Sequence, residues 1–254
     1  MTCESQNPMP DFKQQLQYSD HIEHYQRDGE YYDFFSPDKF LLQEIRRRYQ
    51  EFFHLYPVKN GDRILEIGSG GGFSTAIFEK SSPLYYPLDI PVGNLKRIRQ
   101  LTATRVYPTS ADAYQLPFQE NVFQLVIMAE VLEHLSEPLP ALKEIRRILQ
   151  PAGNLLISVP YKEKISYQIC IHCNLPTPTH SHLHSFDETK LINLITDAGF
   201  RTVKITKNCN KIPNRLHLNH FMRKVPFRGW KVIDRIFNSI IDKPISIILL
   251  SQKN

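Results

Sequence analysis

Cysteine is scarce in this chain. Cys3, Cys170, Cys173 and Cys209 are the only four in 254 residues. So few exclude a disulfide-stapled scaffold in a chain of this size. Acids are scarce at one end. From residue 201 onward, twelve lysines and arginines face two acids, Asp234 and Asp242, within a net charge of +5. That imbalance suits an anionic partner, and it suits a merely solvated face equally well. Long apolar runs are also missing. The most apolar tail stretch, VIDRIFNSIIDKPISIILL, is broken by Asp234, Arg235, Asp242 and Lys243. Charges at mid-bilayer are costly, so no membrane span is expected. The polar N-terminal stretch lacks the apolar centre of a signal peptide, so the cytoplasm is the expected location. No internal repeat marks a solenoid.

What is present suits one sizeable α/β domain. Hydrophobic residues make up 41% of the chain, enough to fill a core. Short apolar runs alternate with helical patterns. RILEIG, LYYPLDI, TRVYPTSAD, VFQLVIMAE, NLLISVP, RTVKITK and PISIILLSQ read as strands. VFQLVIMAE is almost continuously apolar, as in a parallel strand buried on both faces. Ser36-Pro37-Asp38 reads as a helix start, and DETKLINLITDAGF as a helix from Asp187 to Gly199. Such alternation implies right-handed crossovers and a mostly parallel sheet covered by helices. One domain spans 1–254. It carries an aromatic N-terminal arm or lid (1–36), an irregular Cys/His insert (161–185) and a basic, partly helical cap (208–243).

The stretch ILEIGSGGGFSTAI runs a strand through Gly68, Gly70, Gly71 and Gly72 into a helix. In parallel sheets ligands bind at the carboxyl ends of strands, and a Gly-rich turn there lets backbone approach a ligand closely. The glycines alone do not separate a dinucleotide from another nucleoside cofactor. Glu66 does. A carboxylate just before the turn would repel a pyrophosphate and suits an ammonium or a sulfonium, which favours S-adenosylmethionine. The competing reading is a carboxylate that caps the turn. Asp89 ends the second strand, where it can accept from both ribose hydroxyls. Asp112 follows the third, where it can accept from an adenine amino group, with Ala113 supplying a backbone N–H.

On ILEIGSGGG, LDI, ADAYQLPFQENVFQLVIMAEVLEHLSEPLPALKEIRRILQPAGNLLISVP and HLHSFDETKLINLITDAGF, the chain resembles class I S-adenosylmethionine-dependent methyltransferases. The subfamily includes the ubiquinone and menaquinone C-methyltransferases. The resemblance covers roughly residues 61–200. It implies a Rossmann-like, seven-stranded, mostly parallel sheet with helices on both faces and the last strand antiparallel. It also implies cofactor contacts at Glu66, Gly68, Gly70, Asp89, Asp112 and the strand end at Ala129 and Glu130. Ser69, Ile90 and Ala113 complete the expected cofactor-binding set. Gln124 and Ala152 depart from the family pattern, at turn or support positions.

A sulfonium carries its own activated methyl group, so the protein must align, desolvate and, where needed, remove a proton. His134, Glu130 and His182 are the expected catalytic residues, with histidine the obvious base near neutral pH. The insert CIHCNLPTPTHSHLH offers N and S ligands for a structural zinc, with Cys170, Cys173, His182 and His184 as the expected set. The expected activity is methyl transfer to a small-molecule acceptor on oxygen, carbon or nitrogen, an anionic acceptor suiting the basic cap. An RNA methyltransferase and a non-catalytic cofactor-binding adaptor are the alternatives.

Overall fold

The computed structural model describes residues 18, 20–78, 81–101, 105–171, 174–215 and 222–254. Two helices precede the sheet. The first, α1 (His21–Tyr31), is capped by Asp20, whose side chain accepts from the Glu23 N–H at 3.0 Å. The second, α2 (Lys39–Leu55), is capped by Asp38, which accepts from the Phe40 and Leu41 N–H groups. Then come β1 (Arg63–Ile67), the short α3 (Thr75–Phe78), β2 (Leu84–Asp89), α4 (Val92–Leu101), β3 (Arg105–Val106), β4 (Thr109–Ser110) and β5 (Phe123–Ala129). They are followed by α5 (Pro138–Ile148), β6 (Leu149–Pro160), β7 (Tyr167–Ile169), β8 (Pro176–Pro178), α6 (Glu188–Asp197) and β9 (Phe200–Asn210). The chain closes with α7 (Lys211–Arg215), α8 (Phe227–Ile240) and β10 (Pro244–Lys253).

The main sheet has the order β3-β2-β1-β5-β6-β10-β9, with β4 also paired to β2. Pairings from β3 to β6 are parallel, and β10 runs antiparallel to both β6 and β9. The expected third strand is split into β3 and β4 around Tyr107 and Pro108, because proline offers no N–H to a ladder. The Cys/His insert, expected to be irregular, contains an antiparallel hairpin of β7 and β8.

Period-two alternation along β1 sends Leu65 and Ile67 into one core cluster and Ile64 into the other. The first cluster includes Leu142 and Ile145 of α5 and Leu191 of α6; the second includes Tyr49 and Phe52 of α2 and Ile98 of α4. The chain moves outward from β1 toward β3 and then crosses back to β5. The resulting reversal opens a crevice at the carboxyl ends of β1, β2 and β5.

Candidate active site

A cleft of about 580 Å³ occupies that crevice, within the usual range for a small-molecule site. Its floor is the glycine turn after β1. Gly68 sits at φ +67°, and a Cβ there would lie 2.4 Å from Val131 Cγ2, so only glycine fits. The Gly70 N–H donates to Asp89 Oδ2 (2.8 Å), and the Ile90 N–H donates to Asp89 Oδ1 (2.9 Å). The turn and the end of β2 thus fix one carboxylate facing the cleft. Burial raises the Asp89 carboxyl to about 6.

Asp112 stands beyond β4. Its Oδ1 accepts from the Tyr114 N–H (3.1 Å), and its Oδ2 pairs with His21 Nε2 (2.8 Å). Gly68, Gly70, Asp89, Ile90, Asp112 and Ala113 all line the cleft. Glu66, Ser69 and Ala129 do not. Ser69 is buried under the turn with its backbone N–H on Leu88 O, and Ala129 packs against the core.

Glu66 is placed as in the competing reading, as a carboxylate that supports the turn. It is 0% exposed and shares the α2-facing side of β1 with Ile64. Tyr49 Oη donates to one carboxylate oxygen, and Ser74 Oγ (2.6 Å) and Tyr85 Oη donate to the other. Burial raises the Glu66 carboxyl and pushes both phenols well above their ordinary values. The side chain anchors the turn from below and is not among the residues that line the cleft.

The far wall comes from β5 and the single 3-10 turn after it, Leu132–His134. Glu130 adopts φ +54° and pairs with the buried Arg48 at 3.3 Å. His134 Nδ1 lies 3.3 Å from Ser181 O, and burial, then the neighbouring His182, lowers the imidazole to about 4. His134 is therefore neutral at neutral pH. His182 sits edge-on to His134 with ring centroids 4.7 Å apart, and its Nδ1 bonds Glu163. Glu133 is 0% exposed, and neither of its carboxyl oxygens has a partner among the described residues. Burial first, then Glu130, pushes its carboxyl well up.

Among the described residues, Cys170, His182 and His184 of the expected zinc set do not form a group with metal-ligand proximity. His182 turns toward Glu163 and His134, and the His184 Nε2–H donates to Leu135 O at 2.8 Å. Cys173 lies outside the described residues. Among those described, the group with metal-ligand proximity is Glu133, His134 and His182.

The roof was missed as a helix. Residues of α1, namely His21, His24, Tyr25 and Asp28, line the cleft from above, joined by Tyr32 and Phe34. A signal was available: Asp20 followed by Glu23 has capping-box spacing.

Comparison with known proteins gives a consistent picture. A family described as a methyltransferase domain matches residues 65–157. An uncharacterized protein of Methanocaldococcus jannaschii is 33% identical over 128 residues, covering 50% of this chain and 52% of its own. A ubiquinone/menaquinone biosynthesis C-methyltransferase of Neisseria gonorrhoeae is 31% identical over 120 residues, covering 44% and 49% respectively. The chain thus spans about half the length of the curated relatives it matches. A methyltransferase of Haloferax volcanii, solved in complex with the Trm112 methyltransferase activator, superposes with a TM-score of 0.61 at 18% identity. That match covers 93% of this chain and 99% of the other, and shows the fold. The matched residues 65–157 contain the glycine turn, Asp89 and Asp112, so the site described above lies in the part of the chain that is similar to a methyltransferase domain.

Proposed function

We propose that the chain methylates a small-molecule acceptor that enters the cleft between α1 and the turn after β5. The reading rests on one observation above all. Asp89 is fixed by the Gly70 and Ile90 amides at the rim of a cleft that a helix roofs. S-adenosylmethionine, when bound, supplies a methyl group on a positively charged sulfur. The residues present fit it: the Gly68 cradle that a Cβ would fill, Asp89 for the ribose hydroxyls and Asp112 for the base.

The chain's own contributions follow from its geometry. Asp89 orients the nucleoside by accepting from hydroxyls while its own position stays fixed. Asp112 can receive an amino group once His21 leaves its Oδ2. The α1 roof excludes water. His134 is neutral, and if its Nδ1–H donates to Ser181 O, its Nε2 lone pair is available to hold a proton from an acceptor. Glu130, paired with Arg48, lines the same wall.

Part of the basic C-terminal region is used inside the fold, which weakens the RNA reading without removing it. Lys207 is paired with Glu188 and Asp242, Lys231 with Glu51, and Lys253 bonds Asn121 and Leu149 O. These three cations are occupied within the fold, while Lys204, Lys211, Arg223, Lys224, Arg228, Arg235 and Lys243 are exposed. A structural zinc on Cys170 and Cys173 stays a separate reading, tested by metal analysis of a Cys170→Ser, Cys173→Ser chain. The deciding experiment incubates the chain with methyl-labelled S-adenosylmethionine and a host metabolite extract. A labelled small product absent from an Asp89→Ala control supports the reading. Label found only in RNA or protein, or no label with cofactor bound, sinks it.

A further inference from the structure

Glu133 is a buried acid without a purpose in the reading above. It is wholly enclosed, and both carboxyl oxygens lack a hydrogen-bond partner among the described residues. A buried polar group normally finds a partner, because leaving one unpaired costs about 1–3 kcal/mol. Two imidazoles stand beside it. One ligand atom each from Glu133, His134 and His182 lie within 4.8 Å of one another. These residues converge from separate segments: the turn after β5 and the loop before α6.

Both rings are held through Nδ1, His182 by Glu163 and His134 by Ser181 O. That leaves Nε2 on each ring as the nitrogen for a ligand, and on His134 a bound ion would take the lone pair that otherwise holds a proton. An imidazole steadied by a carboxylate or a carbonyl on its far nitrogen is the usual arrangement around a bound metal. Two imidazoles and one carboxylate form a donor set for borderline divalent cations, and three protein ligands leave further positions open.

We propose that Glu133, His134 and His182 bind a single divalent transition-metal ion at the wall of the cleft, with Glu163 positioning His182. The ion supplies the partner that Glu133 lacks. Of the three ligands His134 lines the cleft, so the ion would sit directly behind the cleft wall, beside a bound small molecule. This last clause alone rests on the methyl-transfer reading.

The test needs neither methyl donor nor acceptor. The chelator-treated chain is titrated calorimetrically with Mn²⁺ and, separately, with Zn²⁺, and its thermal unfolding is followed with and without each ion. One ion per chain is expected, raising the unfolding temperature. Glu133→Gln and His182→Ala are each expected to weaken binding at least tenfold and to abolish that rise. Glu163→Gln is expected to weaken binding by a smaller factor, and Cys170→Ser to leave the Mn²⁺ stoichiometry at one. Glu133→Gln keeps the side-chain volume, so it serves if His182→Ala does not fold. No binding by the parent chain, or equal binding by Glu133→Gln, overturns the proposal. So does loss of all bound ion in Cys170→Ser, which would place the metal on the hairpin.

Discussion

Asp89 and Glu66 are two carboxylates 23 positions apart in opposite surroundings. Asp89 lines the cleft, and burial raises its carboxyl from 3.8 to about 6. A raised carboxyl favours the cofactor-free fold when protonated. That contribution is fully present below about pH 4 and fades as pH rises through about 6. Binding of a nucleoside that donates to Asp89 works the other way, since the ionised carboxylate is the better acceptor. Affinity for S-adenosylhomocysteine should therefore rise about tenfold from pH 5 to 7 and then level off, because about nine-tenths of Asp89 is protonated at pH 5. Calorimetry across that range checks it, and Asp89→Asn should flatten the curve. Glu66 instead needs its three hydroxyl donors. Tyr49→Phe removes one from a fully buried carboxylate and should destabilise the chain by about 1–3 kcal/mol in urea. The sequence marked both acids through their place at strand ends. It could not mark where Glu66 points, since its partners Tyr49 and Tyr85 come from α2 and a neighbouring strand.

Among the elements, α1 carries the most information that patterning hid. Its residues alternate charge and ring without a clean apolar stripe, and none is buried. It reads as an arm until Asp20 is seen capping it. Its contact with the domain is made at the ligand site itself, through His21 and Asp112 and through the edge-on rings of His21 and Tyr114, 5.6 Å apart. His21→Ala should free Asp112 and speed S-adenosylhomocysteine association several-fold in stopped-flow fluorescence. Unchanged association would mean that α1 does not guard the base end of the cleft. The strands, by contrast, were legible almost throughout, because β1, β5 and β10 are largely apolar runs with sharp ends. The third strand was legible in place but not in continuity, since a proline inside it decides the break.

At the scale of the whole molecule, the basic region is joined to the sheet domain by specific pairs. Lys231 of α8 meets Glu51 of α2 at 2.6 Å, with Glu51 only 3% exposed at its side chain. Arg47 Nη2 donates to Met222 O and Val225 O, and its guanidinium lies 4.8 Å from the Trp230 ring centre. Lys231→Ala should leave Glu51 charged and unpaired and lower stability by about 3–5 kcal/mol, while Lys231→Met with Glu51→Gln should recover most of it. Chemical denaturation of the three chains separates these outcomes. Composition showed the surplus of cations but not this pairing, because a charge count carries no record of which acid 180 residues away folds against it.

The amide of Gly70 that grips Asp89 has a thermodynamic consequence. One side of the ligand chamber is set before anything arrives, so little ordering remains to be done there. The side formed by α1 must be displaced and then reseated. The entropy lost on complex formation should therefore be concentrated in the first helix, and amide exchange should slow there upon ligation while the glycine turn changes little.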